Sequence, residues 1–554
     1  KCVAFLIRAV NLANNEIIAG TVTKHEKQNM KTFLIIVSIL YLSTSSFGQN
    51  QNVSQGPVFD GEPYLTVNPS NSQHMVVAWI GYKFLQILTI NTSVTFDGGT
   101  TWSTPIDIAH SISGYQSADP CLEFDDSGNV FVAYVDYNPV IDSGSVYCRK
   151  STDGGLTWGA DVPVIGMHSD PNKRALDRPW MNIDRSGGAF DGNIYITTMN
   201  ASTMTPVTPP YHPYVTRSIN GGTSFEPWSY LDTATFLSGS LISSPMPTPT
   251  ISSNGTFYAI YPSYVPTQSS SAQLLLATST DGGASYNHNV AYQVSNGVTD
   301  SLSKKAGLLR ADPSDTNHLV MLSVLATYGD ADVFINESYD KGATWGAATR
   351  VNDDPVGNNR MQDLVWADFD LDGDLVVSWR DRRNGSDSSY ETSSEIWGAI
   401  RLKDSANFSP NFRISDTLVA YDTVLAANGN DFMCIKFVND TLNAVWGDVR
   451  SGTLDIWYNR IGLDGTILSA NKLNSAPLLT ASIYPNPSSS TFTIERNKIT
   501  QIDIYNQGGK IVFTKKYTHP KNSINIVLDD YSKGVYFIKI TTPEGVLTKK
   551  VIKH

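Results

Sequence analysis

The sequence predicts an all-β chain, a propeller of six or seven four-stranded blades followed by a small C-terminal β-sandwich. Three observations carry that expectation. One short turn recurs five times, its polar residue falling at 97, 153, 220, 281 and 340, with spacings of 56, 67, 61 and 59 residues. Between these turns lie runs of about four to eight residues rich in Val, Ile, Tyr and Trp, broken by Gly, Asn and Asp, as antiparallel strands are. About four such runs per unit at a fixed long period fit one blade each. After Ser475 the pattern ends and the charge changes sign: from Ile483 onward eleven Lys and Arg face five Asp and Glu, a net +6 in a chain of net −12.

The five turns read Thr95-Phe96-Asp97-Gly98-Gly99-Thr100-Thr101-Trp102, then Ser151 to Trp158, Ser218 to Phe225, Ser279 to Tyr286 and Ser338 to Trp345. In each, the Asx side chain can accept from backbone N–H groups just ahead of it, and glycine supplies positive φ. The closing aromatic anchors the turn by packing under the next strand. This pattern resembles the Asp box of the sialidase (BNR-repeat) superfamily. The resemblance implies a propeller with the boxes between the third and fourth strands of each blade.

The blades follow in order. Glu62-Pro63-Tyr64-Leu65 opens the first, Asp119-Pro120-Cys121 the second, Arg178-Pro179-Trp180 the third and Met246-Pro247-Thr248 the fourth. Two later units lack a full box and share another signature, Trp379-Arg380-Asp381-Arg382-Arg383 and Trp446-Gly447-Asp448-Val449-Arg450. Counting from Glu62 gives seven units, against six in sialidases.

The ends read differently. Residues 1–29 precede Met30 and are expected to be upstream read-through or a disordered leader. Residues 30–48 read as a secretory signal peptide: Met30-Lys31, the apolar run Phe33 to Leu42, then small residues. That run is too short for a spanning helix, which takes about 20 residues. The propeller is assigned to 49–470, a linker to 471–482 and a β module to 483–554. The module's Tyr484-Pro485-Asn486-Pro487 start, its Tyr505-Asn506-Gln507-Gly508-Gly509-Lys510 centre and its Gly534-Val535-Tyr536-Phe537-Ile538-Lys539-Ile540 close resemble the type A sorting domain of the type IX secretion system. The resemblance implies a Bacteroidetes-type bacterium, secretion or display at the outer-membrane surface, and the secretion machinery as a partner. No transmembrane segment is expected in the mature protein.

The acidic balance argues against a nucleic-acid partner. Of four cysteines, Cys121, Cys148 and Cys434 fall in predicted strands with no zinc spacing, and they read as small buried hydrophobes. No cofactor or metal is predicted. The string Asp368-Phe369-Asp370-Leu371-Asp372-Gly373-Asp374 matches half of a calcium loop, but Trp379 stands where the bidentate Glu belongs. Calcium is possible at that turn and not predicted.

Chemistry in a propeller gathers over the central channel, where the innermost strands begin. That placement collects Glu62, Asp119, Asp177, Arg178, Arg360, Asp363, Asp381, Arg383, Asp448 and Arg450 on one face, with Arg310 deeper in its strand. The sialidase resemblance implies three arginines clamping a sugar carboxylate, an acid/base carboxylate, and a tyrosine paired with glutamate. Arg178, Arg310 and Arg360 are the candidate clamp, and Asp119 or Asp177 the candidate acid. The Arg-Ile-Pro motif of sialidases is missing, so two functions stand side by side. One is an exo-α-sialidase-type glycoside hydrolase. The other is a non-catalytic propeller binding glycans or proteins at the cell surface.

Overall fold

The computed structural model describes residues 50–462 and 481–554, apart from 55, 57, 84–86, 201–206, 294–306, 426–429, 507–509 and 544. The leader, the signal-peptide segment and nearly all of the linker therefore lie outside the described residues. The chain divides into a unit spanning Phe47–Ser469 and a second containing Ala470–His554.

The first unit is a closed propeller of seven four-stranded antiparallel sheets. Its innermost strands are Asp60–Asn68, Gln116–Phe124, Ala175–Ile183, Thr248–Ile251, Leu308–Ala311, Gln362–Phe369 and Cys434–Val438. Each packs against the next, and the last packs against the first. Closure comes from the N-terminal strand Gln51–Asn52, which pairs Gln51 with Tyr458 and Asn52 with Trp457 as the outer strand of blade seven. Large apolar side chains such as Trp79, Tyr134, Trp379 and Trp446 are fully buried between sheets. Cys121, Cys148 and Cys434 are free and buried, and burial pushes their thiols up to about 12.

The five repeated turns share one hydrogen-bond pattern. In the second, Ser151 Oγ donates to Asp153 Oδ1 (2.7 Å), and Gly155 N donates to Ser151 Oγ (2.8 Å). Thr157 N donates to Asp153 Oδ1 at 2.9 Å. Each turn docks on the preceding blade: Gly155 abuts Val76 and Val94, Gly222 abuts Phe131, Gly283 abuts Tyr195, and Gly342 abuts Leu276. Trp158 Nε1 donates across the same seam to Thr92 Oγ1 at 3.1 Å. The turns are therefore seams between blades, which spacing within a single unit could not reveal.

The box-free blades use a different tie. Trp379 Nε1 donates to Asp381 Oδ2 (2.7 Å), Arg383 Nε donates to the same oxygen (2.9 Å), and its guanidinium lies 4.2 Å from the Trp397 ring. Trp446, Asp448, Arg450 and Trp457 repeat the arrangement. Arg383 then reaches Asp353 and Arg450 reaches Asp416, on the connections arriving from the preceding blades, and Arg450 also reaches Asn50 beside the closing strand.

A buried histidine links blades five and six. His318 bonds Asp312 and Glu337, each at 2.9 Å, and stacks on Tyr339. Arg401 also bonds Glu337, at 2.7 and 2.5 Å. Burial disfavours a charged imidazole, but the two carboxylates more than offset it, and the His318 pKa is raised. A raised folded pKa gives stability that is full below the unfolded value of about 6.5 and lost as pH rises through the folded one. The melting temperature should therefore fall as pH rises above about 6.5, and His318→Gln should flatten that slope. A slope unchanged in the mutant would contradict this assignment.

The second unit is one five-stranded sheet: Ser482–Tyr484, Thr491–Asn506, Gly534–Thr542 and Gly545–Lys553 in order, with Ile511–Val527 paired to Thr491–Asn506. The expected sandwich is built from one connected sheet: register shifts between Glu495, Ile499 and Gln501 bend it, so that Phe492, Ile494, Ile502, Ile504, Ile538 and Val551 share one core. The Gly508-Gly509 turn lies outside the described residues. Among the described residues, no helix is long and apolar enough to cross a membrane.

Candidate functional site

Four innermost strands slip register one or two residues after they begin, between Gly61 and Tyr64, Ala118 and Cys121, Asp177 and Trp180, and Asp363 and Trp366. At each slip a non-glycine residue takes positive φ: Glu62 (50°), Asp119 (55°), Arg178 (49°) and Leu364 (51°). This left-handed backbone is disfavoured by roughly 1–2 kcal/mol per residue. Strain of this kind persists where the surroundings enforce it, and it clusters at functional sites. Three of the four residues precede proline, and together they turn Glu62, Asp119 and Arg178 toward the channel mouth.

Arg178 is 4% exposed and donates from Nη2 to Asp431 Oδ2. Its Nε lies 3.8 Å from Asp177 Oδ1, and its backbone N–H donates to Asp119 Oδ2 at 3.3 Å. Burial opposes the guanidinium charge, but Glu62, Asp177, Asp119 and Asp431 more than offset it and hold it charged. Glu62, 3% exposed, hydrogen-bonds Asp119. Burial, and then the Asp119 charge, push the Glu62 carboxyl well above its ordinary range against the pull of Arg178. Two carboxyls in contact hold one proton between them. Arg178 Nε and Nη1 and Glu62 Oε2 are buried with no hydrogen-bond partner. Such unmet groups are uncommon in folded proteins and point to a water or ligand.

Beneath this cluster the channel is filled by Tyr64, Trp180, Trp366 and Phe432, with ring centroids 5.3–6.5 Å apart along the contacts that link them. Arg178 lies over Phe432 at 4.7 Å and Arg310 over Trp366 at 5.2 Å. Arg310 sits beyond the aromatic layer, bonding Ala367 O and Leu309 O at 2.8 and 2.9 Å. Arg360 stands before the sixth blade, its backbone N–H on Asp330 Oδ2 at 2.8 Å. The three arginines therefore do not make the expected clamp. Arg178 is enclosed by carboxylates, and Arg310 faces the other end of the channel because it lies near the end of its strand.

Asp363 is at the mouth but is held by Arg380 (2.7 and 2.5 Å), Arg382 (3.2 and 3.3 Å) and Tyr390 (2.9 Å). Asp381, Arg383, Asp448 and Arg450 are engaged in the ties between blades described above, which corrects their assignment as ligand contacts. Three neighbours were missed from sequence. Asp431 and Phe432 precede the seventh innermost strand, and Tyr137 ends the second strand of blade two. Burial, then Asp119 and Asp177, raise the Tyr137 pKa. A signal was present for Asp431: like Asp119 and Asp177, it is an acid close to the start of an innermost strand.

The calcium-like string forms the turn between the first two strands of blade six, as Asp125 to Asn129 does in blade two. Asp374 Oδ1 accepts from Lys403 N at 2.8 Å, and Asp370 Oδ2 accepts from Asp440 N at 2.7 Å. Asp372, Asp374 and Asp440 bring carboxylate oxygens within 4.8 Å of one another, while Trp379 is buried in the tie of blade six.

No curated protein is significantly similar to the chain in sequence. Among solved structures, a Dyadobacter fermentans protein of unknown function is 14% identical, covering 76% of this chain and 99% of its own, at a TM-score of 0.41. The α-L-arabinanase of Penicillium chrysogenum is 17% identical over 60% of this chain and 93% of its own, also at 0.41. The NanB sialidase of Streptococcus pneumoniae is 13% identical over 76% and 71%, at 0.39. These likenesses are too distant to assign a site. Residues 482–554 match the family described as Secretion system C-terminal sorting domain, one residue ahead of the boundary expected from sequence. The chain thus joins a seven-bladed propeller to a secretion-system sorting domain.

Proposed function

We propose that this is an exported glycan-recognition propeller whose ligand site is the channel mouth around Glu62, Asp119, Asp177 and Arg178. The observation that carries the reading is the set of unmet buried polar atoms there, Arg178 Nε and Nη1 and Glu62 Oε2, beside the proton-sharing pair. With Glu62 protonated, Asp119, Asp177 and Asp431 outweigh the one guanidinium. A net negative mouth repels sialic acid and favours a neutral, polyhydroxylated chain, whose hydroxyls can donate to carboxylates and accept from Arg178. The five box-like turns support the superfamily resemblance, but fold alone does not give function.

Hydrolysis is the second reading, and the proton on Glu62 favours it as a general acid. Against it, glycosidases hold their carboxyl pair about 5–9.5 Å apart, and Glu62 and Asp119 are in hydrogen-bond contact. The test is a panel of neutral and sialylated oligosaccharides offered to the purified protein, with binding and released sugar measured together. Binding of neutral chains without release supports recognition. Release from sialylated chains would overturn the proposal.

Export by a type IX system of a Bacteroidetes-type bacterium belongs to the same proposal. Deleting residues 482–554 should leave a folded propeller inside the cell envelope, detected by fractionation. Normal amounts of truncated protein outside the cell would contradict the sorting role.

A further inference from the structure

At the opposite end of the channel, below the aromatic layer, the ends of all seven innermost strands enclose a cavity of about 260 Å³. Its charged lining is Glu123, Arg185, Arg310, Asp368, Asp370 and Lys436, and Asn182 joins them. We infer that this cavity is a second ligand site, for a small hydroxycarboxylate, independent of the mouth.

The argument starts from unused donors. Lys436 is buried to a side-chain exposure of 19%, and its nearest acid is Glu123 at 3.7 Å, beyond hydrogen-bond range. Its ammonium makes no hydrogen bond among the described residues. Arg310 spends Nε and Nη1 on the carbonyls of Ala367 and Leu309, and among the described residues its Nη2 makes no hydrogen bond. Glu123 cannot neutralise the group by itself, because it also holds Arg185 at 3.1 Å. Asp368 is occupied too, accepting from Phe437 N at 2.8 Å. Burial raises its pKa, which weakens it further as a counter-charge. Asp370 is engaged by the N–H groups of Leu371 and Asp440, each at 2.7 Å. Three cations and three carboxylates therefore line the cavity, and among the described residues none of the three carboxylates hydrogen-bonds Lys436 or Arg310 Nη2.

Donors left without an acceptor in a partly buried cavity favour a ligand that supplies one, and a small carboxylate can serve Lys436 and Arg310 together. Asn182 supplies the second half of the recognition. Its Oδ1 is buried with no donor, and a hydroxyl on the ligand would satisfy it. A carboxylate reaching Lys436 and Arg310, with a hydroxyl turned to Asn182, meets all three. The volume of about 260 Å³ admits a molecule about the size of one hexuronic acid.

Calorimetric titration of the full protein with glucuronate, glucose and inorganic phosphate tests this site. Glucuronate is expected to bind and glucose not to. Lys436→Met should weaken glucuronate at least ~10-fold, as loss of a charge-assisted bond does, whereas Lys436→Arg should hold it within ~3-fold. Asn182→Leu removes no charge and relieves an unmet acceptor. It should keep the melting temperature while weakening glucuronate, which protects the test if Lys436→Met fails to fold. Absence of glucuronate binding, binding unmoved by both Lys436→Met and Asn182→Leu, or phosphate binding as tightly as glucuronate would each overturn the proposal. Failure of neutral glycans at the mouth would leave these results unaffected.

Discussion

Replacing Arg178 with methionine is expected to destabilise the propeller by about 3–5 kcal/mol, the range for removing one partner of a buried ion pair. Methionine fills a similar volume, so the loss is electrostatic and not a cavity effect. Asp431 loses its guanidinium contact, and Asp119, Asp177 and Glu62 lose the charge that offsets their crowding. The signature lies in the pH dependence. Without Arg178 these carboxyls have folded pKa values raised above their unfolded ones. Their penalty is then absent at low pH and grows as pH rises through the unfolded carboxylate range near 4. Urea unfolding of Arg178→Met should show a deficit that shrinks toward pH 4. A mutant as stable as wild type at pH 7 would mean that solvent already screens this cluster.

Gly155→Ala should also be severe, although glycine to alanine adds a single carbon. Gly155 has φ +95°, and a Cβ placed there would stand 2.9 Å from Val76 and 3.0 Å from Val94. Both valines are buried in blade one and stiff at χ1. The backbone term is roughly 1–2 kcal/mol and overpacking adds about 1–3 kcal/mol. Asp153→Ala in the same turn should have a smaller effect, because Asp153 is exposed and water can replace its oxygens. Thermal unfolding of the two variants gives the order. If Asp153→Ala proved the more damaging, the turn itself, and not the seam it makes, would carry the stability.

The period of the five turns and the alternation of the strands made the propeller legible, because both are local patterns. Mouth residues near the start of innermost strands, Glu62, Asp119, Asp177 and Arg178, could be grouped for the same reason. The sense of that group could not be read. Whether Arg178 meets an anionic ligand or the chain's own acids depends on Asp431, 253 residues away. Arg310 was misplaced because a strand's apolar pattern gives its face but not how far along the channel each residue sits. The bent sheet of the C-terminal unit was likewise hidden, since bulges at Glu495 to Gln501 leave alternation nearly intact.

Glycan affinity of the full protein and of Asp119→Asn, measured side by side, tests the role of the channel mouth most directly. Asparagine keeps the volume of Asp119 but removes its charge and its share of the Glu62 proton. A neutral oligosaccharide should bind wild type and Lys436→Met alike and bind Asp119→Asn at least ~10-fold more weakly, with the fold intact by thermal melting. Equal affinity for wild type and Asp119→Asn would contradict a ligand site at the mouth.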